Sequence, residues 1–214
     1  MSESPIDGRW TRAGRRAAAR TRLLEVVERR LRDGETFADI KVGEIVAEAG
    51  LSRTTFYVYF EDKADLLRTW YGDVSSTILN AAQVWWDLDA RAEQSDLRAA
   101  LAGIVAAYRP HPELMAATHE AIGYDHGVRQ AVDDAMASYI AGLAAHIERG
   151  QVAGFVDPSL PPYETAYWLQ WMAERGLHRM VRTESSRADS LLEAYALIVW
   201  NALYAPARRA APTE

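Results

Sequence analysis

One short stretch of the sequence carries a cluster of hydrogen-bond donors whose spacing suits the recognition of a polyanion. Arg53, Thr54, Thr55 and Tyr57 follow Ser52 within a few residues. Guanidinium, hydroxyl and phenol groups donate hydrogen bonds to phosphate oxygens, and arginine also reads the edge of guanine in a base pair. Side chains of these types, brought to one face of a short helix, predict contact with nucleic acid.

Two short helices joined by a tight turn would position these donors. Apolar residues repeat with helical spacing over 42–49, Gly50 suits a turn, and Ser52 is a good N-cap for the next helix. Phe56 and Phe60, one helical turn apart, would face the core and leave the donors outside. This is the pattern of a helix-turn-helix, whose second helix enters the major groove. Two-helix corners are also common in all-α proteins, so the pattern alone leaves open a corner that serves packing only.

Basic residues are unevenly distributed along the chain. The net charge is −6, yet residues 1–32 carry nine Arg against four acids, while the remainder carries 15 basic and 26 acidic residues. A basic N-terminus on an acidic body is typical of an anion-binding arm. We expect residues 1–14 to form a flexible basic arm and Arg15 and Arg16 to contact DNA. A solvated basic tail would explain the same charge.

The composition excludes several classes of protein. The 214 residues include no Cys, which excludes disulfides, thiolate nucleophiles and Cys-ligated metals and fits a reducing cytoplasm. The first 22 residues are polar and Arg-rich, unlike a signal peptide. The longest apolar run, Ala194–Trp200, is far below the ~18 residues of a membrane span. We therefore expect a cytoplasmic protein that does not enter a membrane.

Helical periodicity extends over almost the whole chain and predicts an all-α fold of about nine helices with no strand. Their expected positions are 15–31, 42–49, a short helix after Ser52, 63–88, 95–108, 112–122, 126–149, 163–181 and 186–204. We divide the chain into the arm at 1–14, a DNA-binding domain at 15–62, and an effector-binding and dimerisation domain at 63–214.

The segment from Ile40 to Lys63 resembles the TetR family of bacterial transcriptional repressors. The residues that match the family pattern are Ile40, Glu44, Ile45, Ala49, Gly50, Leu51, Ser52, Thr55, Phe56, Tyr57, Tyr59, Phe60, Asp62, Lys63 and Leu66. The resemblance implies a dimer that binds palindromic double-stranded operator DNA and leaves it when a small hydrophobic effector binds. Later segments resemble a mycobacterial subfamily, the ethionamide-type repressors.

The resemblance also implies roles for individual residues of the motif. Base contacts are implied for Arg53 and Thr54. Phosphate contacts are implied for Thr55, Tyr57, Tyr59 and Lys63, beside the capping Ser52. The departures concern the helix before the turn: Lys41 replaces the usual Ser or Thr cap, Val46 replaces a usual Ala, and Gly43 lowers helix propensity. We expect none of them to touch the DNA-facing surface.

Aromatic residues concentrate in the C-terminal body, where six of the seven Trp lie beyond residue 64. Apolar pockets between bundled helices are lined by aromatic side chains with few polar groups. We expect the following residues to line an effector pocket: Trp85, Trp86, Tyr108, Met115, Tyr139, Trp168, Gln170, Trp171, Trp200 and Asn201. For each aromatic residue an ordinary place in the core is the alternative. For Asn201 the alternative is a hydrogen bond between helices.

The last helix is apolar on nearly all sides, because Glu193 is the only charged residue between Leu191 and Ala205. Such a helix must be covered on nearly all sides. One subunit can cover one face only, so we expect a homodimer formed through the last two helices, as the family resemblance also implies.

An enzyme is the main rival class, and the sequence offers it little. The five His form no HExxH motif, and GxGxxG, GxxxxGK[ST] and GxSxG are absent. We therefore predict a DNA-binding regulator with no cofactor, no metal and no catalytic residue. Another kind of helical DNA-binding protein, an enzyme or a pure interaction protein are the alternatives.

Overall fold

The structure, a computed structural model, describes residues 12–182 and 184–210, and this part of the chain contains ten α-helices and no strand. The helices are α1 (Arg12–Arg32), α2 (Val42–Glu48), α3 (Arg53–Tyr59), α4 (Lys63–Trp86), α5 (Gln94–Tyr108), α6 (Pro112–Ala121), α7 (His126–Val152), α8 (Pro162–Met180), α9 (Ser185–Leu203) and α10 (Ala205–Ala210). The prediction of an all-α fold is confirmed.

Helices α1 to α3 form a small unit in which local signals set the geometry. Gly50 has a φ of +66° between α2 and α3, a backbone conformation that favours glycine. Ser52 caps α3 by accepting a hydrogen bond from the backbone of Thr55 at 3.0 Å. Lys41 precedes α2 without a side-chain cap. Phe56 is fully buried, so the opposite face of α3 is held toward solvent.

Helix α4 continues into a larger helical body. It packs against α5 and α7, while α7 packs against α8 and α5 against α9. Asp62 begins α4 by accepting a hydrogen bond from the backbone of Asp65 at 2.6 Å. None of the helices in the described part of the chain is both long and apolar enough to cross a membrane.

Both ends of the described chain differ from the expectation. Helix α1 begins at Arg12 rather than Arg15, so the last residues of the expected arm are helical, while residues 1–11 lie outside the described residues. At the other end, the residues that follow the last expected helix form α10. Arg208 of α10 donates to the carbonyl oxygens of Ala90 and Ala92, and its guanidinium lies 4.8 Å from the ring centroid of Trp200.

Helix α9 is covered on one face within the protomer. Leu192, Ala196 and Val199 point into the body and are buried. Leu197 and Ile198 lie on the opposite face and are exposed. This two-sided distribution fits the expectation that one chain covers only half of the helix, and the homodimer stays a prediction.

Candidate functional site

The outward face of α3 presents polar donors to solvent. Arg53, Thr54 and Tyr57 are exposed, while Phe56 of the same helix is buried. Thr55 is only half-exposed, and its hydroxyl lies 2.9 Å from that of Ser52, within the cap of the helix. The structure therefore brings three of the predicted contact residues together, while Ser52 and Thr55 also build the start of α3.

Arg53 rests against the preceding helix, which the sequence did not lead us to expect. A Cβ atom built on Gly43 of α2 would lie 2.3 Å from Nη2 and 3.1 Å from Cζ of Arg53. Only a residue without a side chain leaves room for the guanidinium there. The expectation that Gly43 does not touch the DNA-facing surface is therefore wrong, because the absent side chain is what lets Arg53 lie where it does.

Lys63 has a different role from the predicted phosphate contact. Its ammonium group donates to the carbonyl oxygens of Phe37, Ala38 and Ile40, the last two at 2.9 and 2.8 Å. Burial lowers the pKa of Lys63, against the opposing charges of nearby acids. An ammonium has three N–H donors, and all three are used. In this arrangement Lys63 ties α4 to the loop before α2, and its phosphate contact stays a prediction.

Arg15 and Arg16 lie exposed in the first turns of α1. Arg16 donates to the backbone oxygen of Tyr59 at 3.2 Å, and its guanidinium lies 5.7 Å from the ring centroid of Phe60. Tyr59 itself is half-buried and packs against the core. The start of α1 is thereby held at the carboxyl end of α3, so the two predicted arginines and the donors of α3 belong to one region.

Other arginines of α1 are paired with acids. Arg30 hydrogen-bonds to Glu44 at 2.7 Å and also pairs with Glu35 and Glu48, and Arg29 pairs with Glu48. The pKa of Glu48 is lowered, chiefly by its hydrogen bond with Arg30. Part of the N-terminal positive charge therefore fastens α1 to α2.

Two adjoining cavities lie in the helical body. The first, of about 470 Å³, is lined by Tyr108, Met115, Tyr139, Gln170 and Trp171 among the predicted residues. The second, of about 370 Å³, is lined by Trp85 and Trp86 and again by Tyr139 and Gln170. Both volumes fall in the range of small-molecule sites. Seven of the ten predicted pocket residues therefore line a cavity.

Three predicted pocket residues lie elsewhere. Trp168 is 72% exposed on the outer face of α8. Trp200 packs beneath Arg208, and Asn201 is exposed and donates to the Leu197 carbonyl of its own helix at 2.8 Å. None of the three lines either cavity. These cavities do not support their assignment to the pocket, because helical spacing does not tell which face of α8 or α9 meets the body.

The first cavity has a polar cluster that no pattern in the sequence predicts. His119 of α6 and Glu174 of α8 form a short ion pair, and the His119 Nδ1 also lies 2.7 Å from the Met115 carbonyl. The hydrogen bond to Glu174 raises the pKa of His119, whereas burial and the charge of His119 lower the pKa of neighbouring His178. His119 and Glu174 are 55 residues apart in the sequence, so no local motif predicts that they pair.

Helix α6 also contacts the unit formed by α1 to α3. His111, immediately before α6, has its Nδ1 atom 2.7 Å from a carboxylate oxygen of Glu28 on α1. This hydrogen bond raises the pKa of His111. Four and eight residues later, Met115 and His119 line the first cavity. One short helix therefore touches both the cavity and α1.

Comparisons with known proteins agree with this geometry. Residues 36–69 match the family "Bacterial regulatory proteins, tetR family", and residues 97–205 match the family "Transcriptional regulator EthR, C-terminal domain". The chain is 29% identical over 156 residues to the HTH-type transcriptional regulator EthR of Mycobacterium tuberculosis, covering 72% of each chain. It is 26% identical over 174 residues to EthR of Mycolicibacterium smegmatis, covering 77% of this chain and 78% of that one.

The fold is also similar to solved structures. A crystal structure described as a TetR-family transcriptional regulator from Syntrophomonas wolfei superposes with a TM-score of 0.69 at 15% identity, covering 88% of this chain and 96% of that one.

Proposed function

This chain belongs to the TetR family of bacterial transcriptional regulators, with an EthR-type C-terminal domain, and is not an enzyme; we propose that it is a homodimeric repressor. The repressor binds palindromic double-stranded operator DNA, and a small hydrophobic effector releases it. The observation that carries the proposal is the exposed donor face of α3, held outward by the burial of Phe56.

On this proposal α3 is the recognition helix. Arg53 and Thr54, exposed in its first turn, read base edges in the major groove. Tyr57 contacts a phosphate, and the hydroxyls of Thr55 and Tyr59 supplement it at the margin of the interface. Arg15 and Arg16 add positive charge nearby and strengthen binding in a salt-dependent way.

The exposed apolar residues of α8 and α9 support the dimer. Eight large hydrophobic side chains on these two helices are exposed in the protomer: Tyr163, Tyr167, Trp168, Trp171, Met172, Leu191, Leu197 and Ile198. A concentration of exposed apolar side chains on two neighbouring helices is typical of an interaction site. Met172, Leu191 and Ile198 also line the second cavity. A partner subunit on this surface would therefore close the outer wall of the cavity.

Helix α6 provides the route from effector to DNA. An effector in the first cavity presses on Met115 and His119, and the same helix is joined to α1 through His111 and Glu28. A shift of α6 would move α1 and with it the donors of α3. An effector that favours the shifted arrangement lowers operator affinity, typically by 1–3 kcal/mol or about 5–150-fold.

The experiment starts from random double-stranded DNA selected on the purified protein, followed by titration of the recovered operator at several salt concentrations. We expect a palindromic site and an affinity that falls steeply with salt. Arg53→Ala should relax the preference at one base position per half-site by about 1–3 kcal/mol. Tyr57→Phe should weaken binding to all sequences alike. Failure to recover any preferred sequence would refute the recognition role of α3.

A reporter placed behind the recovered operator tests the direction of regulation. A repressor lowers expression from the reporter, and operator occupancy and repression fall together when an effector is added. Expression that rises with protein concentration would overturn the repressor assignment while leaving DNA recognition intact.

A further inference from the structure

The hydroxyl of Ser75 is a buried polar group without a partner. Ser75 lies in the middle of α4, is 8% exposed, and lines the first cavity. Its Oγ atom makes no hydrogen bond within the described part of the chain. Tyr139 donates to the Ser75 backbone oxygen at 2.9 Å, which leaves the side-chain hydroxyl unused. Because a buried hydroxyl left unpaired is costly, this place favours a bound molecule with a polar atom.

The charged groups at this cavity are already paired or lie in solvent. Glu174 is neutralised by His119. Asp133 and Arg175 also line the cavity but are exposed. A charged headgroup at Ser75 would be desolvated without a buried partner of opposite charge, which is strongly unfavourable. The polar atom that meets Ser75 therefore belongs to an uncharged group.

The neighbouring cavity suits the apolar part of the same molecule. It adjoins the first cavity through shared lining residues, which include Ile78, Tyr139 and Leu177. Its walls are almost entirely apolar, with Trp85 and Trp86 at one side. An apolar body placed there would be removed from water, and such burial is the main source of affinity in sites of this kind.

We propose that the two cavities hold one uncharged amphiphile, with an oxygen atom hydrogen-bonded to Ser75 Oγ and an apolar body that extends into the second cavity. The inference rests on the proposed function, since it names the chemical class of the effector for the same cavities. Ser75 would then select ligands that have an uncharged oxygen atom over ligands that lack one.

Four probes of equal chain length test the class: octan-1-ol, 1-chlorooctane, octanoate and octylamine, each titrated at pH 7 into the full-length protein. Quenching of tryptophan fluorescence reports binding, because tryptophans line both cavities. We expect the affinity of octan-1-ol relative to that of 1-chlorooctane to be about 3- to 10-fold higher in the native protein than in a variant without the Ser75 hydroxyl, the factor of one buried neutral hydrogen bond. Both charged probes should bind more weakly than octan-1-ol. Tightest binding by octanoate or octylamine would overturn the proposal.

The Ser75→Ala variant assigns the difference to this hydroxyl. It should lose affinity for octan-1-ol but not for 1-chlorooctane, and its melting temperature without ligand should not fall, since the lost hydroxyl made no hydrogen bond. Ser76→Ala is the matched control, because Ser76 is exposed on the same helix and donates to the Gly72 carbonyl at 2.8 Å. It should retain the affinities of the native protein for both probes. A Ser75→Ala variant that keeps the native affinity for octan-1-ol, or that loses affinity for both probes equally, would refute the role of Ser75.

These titrations contain no DNA, which separates this inference from the proposed function. Operator binding that survives while Ser75→Ala leaves the affinity for octan-1-ol unchanged refutes the inference about the ligand alone. An affinity for octan-1-ol that depends on Ser75, in a protein that selects no operator, supports the ligand class and refutes the regulatory function.

Discussion

Replacing Gly43 by alanine should alter DNA recognition without harming the fold. The added Cβ would lie 2.3 Å from Arg53 Nη2, whereas atoms of this kind attract each other best at about 3.5–4.0 Å. The guanidinium must therefore move by about 1 Å or more. Arginine is flexible enough to do so, and alanine is favoured over glycine inside a helix by about 1 kcal/mol. The free energy of unfolding should consequently stay equal or rise.

The effect on binding follows from the proposed role of Arg53. A bidentate contact between arginine and a base provides about 1–3 kcal/mol of discrimination, and its geometry depends on where the guanidinium starts. We expect Gly43→Ala to lose part or all of this discrimination, about 5- to 150-fold at one base position per half-site. Affinity for unrelated DNA should change little, because phosphate contacts do not involve this side chain.

Fluorescence anisotropy with the selected operator and its single-base variants measures this loss, and thermal unfolding checks the fold. Gly72→Ala is the matched control, because Gly72 lies inside α4 and a Cβ there would meet nothing within 4 Å. The control gains the same helix propensity and should keep the native sequence preference. If Gly43→Ala also keeps that preference, the contact between the two helices does not position Arg53 for recognition, and the reasoning fails.

Three further changes test other parts of the structure. Lys63→Met keeps the aliphatic stem but loses the hydrogen bonds to the loop before α2, so the free energy of unfolding measured in urea should fall by about 1–3 kcal/mol. Unchanged stability with weaker DNA binding would instead support a phosphate contact for Lys63. Ile198→Glu should give folded monomers in light scattering, whereas Val199→Glu, at a fully buried position, should not fold; a folded Ile198→Glu dimer would contradict the proposed interface. Glu174→Gln should lower the pKa of His119 in an NMR titration, because the hydrogen bond to Glu174 raises that pKa. A raised pKa stabilises the native state below the ordinary histidine range, and this stabilisation is lost as the pH rises through the raised value. The native protein should therefore lose stability over that interval, and a Glu174→Gln variant with the same pH dependence would show that the pair does not act in this way.

The DNA-binding unit could be predicted from sequence because its signals are local. The cap at Ser52, the turn at Gly50 and the spacing of the buried phenylalanines all act within a few residues of one another. Lys63 shows the limit of the same approach. The motif gives its residue type, but its partners begin at Phe37, 26 residues earlier, and only the fold brings them together.

The cavities of the helical body were harder to predict, because they depend on which helix faces meet. Trp168 and Trp171 are three residues apart on α8, yet Trp171 lines a cavity and Trp168 lies in solvent. Amphipathic spacing identifies a face of a helix but not the neighbour that covers it. The pair of His119 and Glu174 depends on the packing of α6 beside α8 and has no local signature. That the Ser75 hydroxyl has no hydrogen-bond partner can likewise be recognised only from the positions of its neighbours in the fold.

The position of α6 explains how a ligand of modest affinity could control DNA binding. The helix is ten residues long, about 15 Å from end to end, and carries the His111 contact to Glu28 before its first turn and cavity residues along its length. A hydrogen bond to a charged group contributes about 1.5–3 kcal/mol, while allosteric coupling is typically 1–3 kcal/mol. Breaking this one contact would therefore account for a full allosteric response. Under the proposed mechanism, the effector needs only enough binding energy to displace α6 by the distance at which the His111 contact with Glu28 is lost.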